Sequence, residues 1–334
     1  MEASANNNFK GYRFVNVASS PSFFCNNLTT NDGELYAFVN NMDQQPRALL
    51  YNKDLVEKGE ISSPQVLQWK DQSECFGLNY AKAQDKWHLC VSTTKGCQVW
   101  NYNGTRQLAF VESKNNIFLS ASTAVDKIDG KEFIAIGTCN GEIHQVLING
   151  TTYTKELGFK LVDESAVTSM SCDLRSRTLA VGNSNGYVII FQCDTQSEWK
   201  PLHSIQPQTE IPVHSISTLN RGDNVFVVGY ANGSVRLISP SGQLLCNLSA
   251  HSRSLNALTC HPTKSVFATC SDDTFTHIFE VVGDKLDKLN VNLILSSRVN
   301  DHLLTGVAFG GEGNNSLVVA PYDYKTIVVL NNVV

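Results

Sequence analysis

No stretch of this chain is apolar for long enough to cross a bilayer as a helix. Its opening, MEASANNNFKGYRF, has neither the basic start nor the apolar core of a secretory leader. Charge is scarce, at 17% of residues, and the 26 Lys and Arg are dispersed, so no basic stripe offers a footprint for nucleic acid. None of the ten cysteines pairs as C-x-x-C, which removes the short-spaced metal and redox motifs. Most lie inside apolar runs (Cys90, Cys139, Cys172, Cys193, Cys270), where a thiol acts as a small buried hydrophobe in a reducing compartment. The Asn-x-Ser/Thr sequons at Asn27, Asn103, Asn149, Asn232, Asn247 and Asn314 need the secretory route and are read as products of a high asparagine content. Helical periodicity is poor throughout, and 282–295 reads as a loop and strand. These exclusions point to a soluble cytoplasmic chain of net charge −5, with cytoskeletal or ciliary attachment left open.

What is present is a repeat. Apolar strand, short polar turn and apolar strand recur in CVSTTKGCQVW (90–100), IAIGTCNGEIHQVLI (134–148), LAVGNSNGYVIIF (179–191) and VFVVGYANGSVRLI (225–238), then in FATCSDDTFTHIFEV (267–281) and LVVAPYDYKTIVVL (317–330). The turn glycines Gly96, Gly141, Gly186 and Gly233 are 45, 45 and 47 residues apart. A period of this length with several strands per unit predicts a β-propeller.

Expected first strands begin near Ser22, Glu74, Phe118, Val167, Val213, Leu255 and Leu304, which implies seven four-stranded blades. LYAFVNN (35–41) and ALLYN (48–52) are a weaker first hairpin. The last blade runs out of chain after KTIVVL (325–330), while GYRFVNVA (11–18) precedes the first blade. Pairing the two ends closes the ring and removes an exposed edge. The expectation is an all-β, single seven-bladed β-propeller over 11–334 behind a short tail, 1–10. The Asn-Gly pairs at 140–141, 185–186 and 232–233 suit tight hairpins, because both residues tolerate positive φ.

Blade six carries a family resemblance. AHSRSLNALTCHPTKSVFATCSDDTFTHIFEV (250–281) resembles a WD repeat: His251 falls at the Gly-His histidine, Ser271 and Asp273 at Ser-x-Asp, and Phe279-Glu280 at the Trp-Asp pair. That resemblance implies a structural loop network of His251, Ser271 and Asp273 whose indole link is missing, since Phe279 has no N–H. Trp100 keeps the tryptophan in blade two. NLSAHSRSLNAL, SDDTFTHIFEV, GTCNGEIHQV, GYANGSVRLI and VVAPYDYKTI together resemble the group of WD repeat-containing protein 54. The resemblance implies protein association, with no catalytic residues to carry over.

The residues themselves point away from chemistry. FGGEGNNS (309–316) lacks the helix that a phosphate cradle needs. A metal set of His251, Cys260, His261 and Cys270 is awkward, because adjacent strand residues face opposite ways. His251, Ser271 and Asp273 contain the types of a hydrolytic triad, but no GxSxG elbow accompanies them. Base stacking by Tyr230, Tyr322, Tyr324 and Arg253 lacks phosphate-binding charge. The expectation is therefore no enzyme activity, no cofactor, no metal and no nucleic acid. A protein-binding scaffold remains, docking partners on the rim of d–a and b–c loops at Tyr230, Arg253, Asp272 and Tyr322, since aromatics and Arg favour interface hot spots. The alternative is a permanent subunit of a large cytoskeletal or ciliary assembly, or a self-associating one.

Overall fold

The computed structural model describes residues 11–43, 45–59, 63–69, 72–113, 119–126, 132–193, 199–207 and 209–334, with the backbone alone for 119–126. The expected tail, 1–10, and the expected strand start at Phe118 lie outside the described residues.

The described residues form seven four-stranded antiparallel sheets, each in the order a-b-c-d from the axis outward. The innermost strands contact one another in cyclic order, blade one meeting both blade two and blade seven, so the sheets make a closed ring. Blade seven is completed from both ends of the chain. Tyr12–Asn16 pairs antiparallel with Thr326–Leu330, with Tyr12 opposite Leu330 and Asn16 opposite Thr326.

Stability lies between the blades. Each of the seven interfaces between neighbouring blades holds one buried apolar cluster. Between blades three and four, for example, Phe133 and Ile143 meet Leu179 and Val181. Strands buried on both faces explain the continuous apolar runs seen in the sequence. Each fully buried Leu, Val or Phe contributes about 1.5–3 kcal/mol relative to exposure.

The Asn-Gly pairs form tight hairpin turns in which only the glycine takes positive φ. Gly141, Gly186 and Gly233 have φ of +78°, +87° and +84°, while the asparagine before each keeps a negative φ. The N–H of each glycine reaches back three residues, Gly233 to the Tyr230 carbonyl at 3.0 Å. These are three-residue loops ending on a left-handed residue, the next commonest hairpin form. At Gly233 the choice is steric as well. A Cβ there meets the carbonyl oxygens of His251 and Arg253 at 2.4 and 2.5 Å, because the d–a loop of blade six lies directly on the turn.

Blade one departs furthest from the repeat. Its first strand is only Thr29–Thr30, not a full strand from Ser22. A four-residue helix, Asp54–Glu57, and a short outer strand, Gln65–Gln68, follow its hairpin.

Candidate functional site

The inner strands share one irregularity. In blades two to seven a bulge falls on the second residue, which for the last three blades is His214, Asn256 and Thr305. A bulge takes its residue out of the ladder and frees backbone groups at the strand end. Here those ends ring the mouth of the axial channel, on the face that carries the d–a and b–c loops.

The missing first half of blade one's inner strand fills that mouth. The chain starts as a strand partner, the Ser22 N–H bonding the Val39 carbonyl at 2.9 Å. It then leaves the sheet as a loop, Phe23–Asn26, and rejoins at Thr29. Asn26 reaches blades six and five: its N–H donates to the Asn256 carbonyl at 3.0 Å, and its Nδ2 to the His214 carbonyl at 3.0 Å. The Asn27 N–H donates to the Thr305 carbonyl at 2.9 Å. Three bulge carbonyls, from blades five, six and seven, are thus satisfied by one crossing segment, a demand set by the cost of stranding buried polar groups. Asn26 itself sits at φ +61°, a left-handed conformation that asparagine tolerates better than most residues.

Asn27 repairs the gap the excursion leaves. Its side chain is fully buried; Oδ1 accepts the Val39 N–H at 2.7 Å, and Nδ2 donates to the Val39 and Ser22 carbonyls at 2.9 and 2.8 Å. One side-chain amide therefore does the pairing of an absent strand residue. The sequon at Asn27 has a structural reason for its asparagine.

Beneath this stopper lies a cavity of about 430 Å³, lined by inner-strand residues such as Asn79, Ser169, Ser171, Ser215 and Thr259. Among the described residues, no charged side chain lines it. Cys25 Sγ lies 3.4 Å from His214 Nδ1, which has the look of a nucleophile and base. The geometry contradicts that role: His214 Nδ1 also lies 2.8 Å from the Leu255 carbonyl, so it carries the proton and donates it. Burial, with the Asp272 charge second, pushes the Cys25 thiol up to about 12, so it stays protonated.

Blade six holds the loop network. His251 Nδ1 lies 3.0 Å from the Asp273 carboxylate and Nε2 lies 2.8 Å from Thr269 Oγ1. The hydroxyl in contact with His251 is thus Thr269, not the expected Ser271, whose Oγ accepts the Asp273 N–H at 3.0 Å. Strand alternation puts Thr269 and Ser271 on one face, and Thr269 lies deeper, level with the ring. Burial lowers the His251 pKa despite the carboxylate, and it acts as a neutral relay. His277 stacks on it at 4.5 Å, and burial followed by the neighbouring His251 depresses His277 to about 4. Burial would raise Asp273, but His251 and the N–H groups of Ser252 and Phe275 outweigh it and hold the carboxyl low. In blade two the Trp100 indole donates instead to Gln98 Oε1 at 3.1 Å.

The four expected rim residues separate. Arg253 is exposed. Asp272 is half-buried and accepts from Asn256 Nδ2 at 2.6 Å, bracing the bulge that holds the stopper. Tyr322 is half-buried with its ring edge-on to Phe23 at 5.4 Å. Tyr230 does not sit on the rim surface: it is 3% exposed, with the Arg236 guanidinium 5.0 Å from its ring centre. It ends an inner-facing strand and packs between blades. Sequence reasoning missed Phe23, which is 51% exposed at the channel mouth. Its signal was the run SFFCNN, apolar then doubly amidic at a place where a strand was due.

Among the described residues no group of three or more His, Cys, Asp or Glu is placed to hold a metal. His251 and His261 lie at opposite ends of blade six, and His261 Nδ1 accepts the N–H groups of Thr263 and Lys264.

Comparison with known proteins identifies related chains. The WDR54 family matches residues 86–333, most of the chain. WD repeat domain 54 of Rattus norvegicus is 29% identical over 111 residues, 33% of either chain, so that alignment spans a third of the rat protein. WD repeat-containing protein 54 of Mus musculus is 22% identical over 250 residues, covering 72% of this chain and 73% of the mouse protein. A chain in the crystal structure of the mitotic checkpoint complex superposes with TM-score 0.73 over 99% of this chain and 98% of its own length, at 13% identity, and so shares the fold.

Proposed function

The chain belongs to the WDR54 family, and from that premise we propose that it is a non-enzymatic scaffold that docks other proteins on its loop-bearing face. The observation that carries this is the stopper. An open channel mouth leaves a ring of separate loops; a segment bonded to blades five, six and seven turns that face into a continuous floor. On the floor stands Phe23, exposed yet held by a hydrogen-bonded loop and by Tyr322. A rigid exposed aromatic loses little entropy on binding, which is the property of an interface anchor. WD-repeat propellers bind other proteins as a class, and the structural neighbour was solved within a protein complex.

The test is affinity purification with mass spectrometry of the wild type, a Phe23→Ala/Tyr322→Ala variant and an opposite-face control, Tyr102→Ala/Arg106→Glu. Loss of the captured set in the first variant alone supports the reading. Loss in the control alone moves the docking site to the other face.

A further inference from the structure

We infer that the partner presents a lysine- and arginine-rich peptide segment to the loop-bearing face, around Phe23. This inference rests on that face being the docking face and adds the chemistry of what docks.

Charge is unevenly divided between the two ends of the ring. Glu74, Asp163, Glu164, Glu210, Asp301 and Asp323 lie in d–a or b–c loops, and all are exposed. Among the described residues only Glu164 of these forms an ion pair, with Lys160 at 2.8 Å. Among the described residues the exposed basic groups in the same loops are Lys95, Arg253 and Lys325, with Lys160 and Arg298 exposed at adjoining strand ends. Asp43, also on this face, is already neutralised by Arg47. The opposite face mixes exposed acids such as Asp85, Asp284 and Glu312 with exposed bases such as Lys86, Arg106 and Lys288, and pairs Lys53 with Glu34 at 3.1 Å, Lys58 with Asp54 at 2.9 Å and Lys82 with Asp32 at 4.0 Å. Among the described loop residues, six exposed acids therefore stand against three exposed bases around one channel mouth. Charges spread over a face at this spacing sum to a field that steers a cation toward it.

Phe23 supplies the second element. Its ring is half exposed and braced edge-on by Tyr322, and its loop is tied to one of those acids, the Asp323 N–H bonding the Pro21 carbonyl at 3.1 Å. An aromatic face on a negatively charged surface attracts guanidinium and ammonium groups and covers their methylene stems. Two other occupants fit poorly. A second copy brings the same negative face and is repelled. Residues 1–10 of this chain carry one acid and one base and offer no complementary charge.

The probe is a short fluorescein-labelled peptide of alternating Arg, Lys and Gly, with a Glu-for-Arg/Lys counterpart, titrated against the full chain by anisotropy. The basic peptide binds and its counterpart does not, and raising salt from about 50 mM to about 300 mM weakens binding several-fold. Asp301→Lys/Asp323→Lys weakens it about tenfold, and Arg253→Glu, which removes a repulsive charge, strengthens it about twofold. Phe23→Ala weakens it about threefold. The opposite-face control Asp284→Lys/Asp287→Lys leaves affinity unchanged. All of these side chains except Phe23 are exposed loop charges, and unchanged melting verifies that each variant is folded. Equal binding of the acidic peptide, no binding of the basic one, or equal loss in the control overturns the inference. If instead native partners are lost from Phe23→Ala/Tyr322→Ala while the basic peptide never binds, the docking face stands and only its partner chemistry falls.

Discussion

Asn27 and Val39 form a strand pair in which one side contributes only a side chain. The amide of Asn27 meets both the N–H and the carbonyl of Val39, at 2.7 and 2.9 Å. That substitution releases Phe23–Asn26 from the sheet, and the released segment closes the channel mouth. Asn27→Ala strands the Val39 N–H and the Ser22 carbonyl, takes one of two donors from the Val39 carbonyl, and should cost about 2–4 kcal/mol in chemical denaturation. Asn27→Asp should be worse at neutral pH, because a carboxylate replaces the amide donor facing those carbonyls, and it should recover toward the alanine value as pH falls. Equal stability of the two variants at all pH values would contradict this pairing.

The turn of blade six carries a threonine at the left-handed position where that of blade five carries a glycine. Thr274, at φ +72°, stands where Gly233 stands at φ +84°. Gly233→Ala forces a Cβ against two carbonyls of the d–a loop and should lose about 2 kcal/mol or more. Thr274→Gly removes a β-branched residue from the left-handed region and should gain about 1 kcal/mol, the exposed Arg298 contact to its hydroxyl being the smaller term. Thermal melts of the two variants should move in opposite directions.

Acid should destabilise the ring through its histidines. His88, His144, His251, His261 and His277 all have folded pKa values below the ordinary value, in each case chiefly by burial. The unfolded chain then binds more protons than the folded one between about pH 6.5 and the depressed values. The stability they contribute is complete above about pH 6.5 and is lost as pH falls through the folded values, near 4 for His277. His277→Gln should flatten part of that slope in melts from pH 7 to pH 4. An unchanged slope would contradict burial of the His251–His277 stack.

Closure makes the first described strand indispensable. Deleting residues 1–18 removes the partner of Thr326–Leu330 and the buried Val15 and Val17. The product should be insoluble or cut by protease at concentrations that spare the full chain, since an unpaired apolar edge is exposed. A soluble truncated form with unchanged melting would contradict closure by the termini.

Much of this was legible in the sequence, and the exceptions have physical causes. The blade count and the closure follow from strand–turn–strand spacing, which backbone pairing enforces. Ser22–Leu28 was legible only as a strand, because its apolar residues satisfy a strand pattern while its true partners, the bulge carbonyls at His214, Asn256 and Thr305, are about 190 to 280 residues away. The repeat pattern locates His251 and Asp273, but which hydroxyl meets the imidazole depends on depth in the sheet, and Thr269 lies there. Tyr230 and Arg253 read alike as rim residues; only the packing of blade against blade buries the first and exposes the second.

The most direct test is amide hydrogen exchange of the chain alone and with a partner recovered by affinity purification. The account predicts added protection in peptides covering 18–28, 250–255 and 320–325, around the closed channel mouth. Protection confined to 84–87, 102–106 and 283–289, at the other end of the ring, would contradict it.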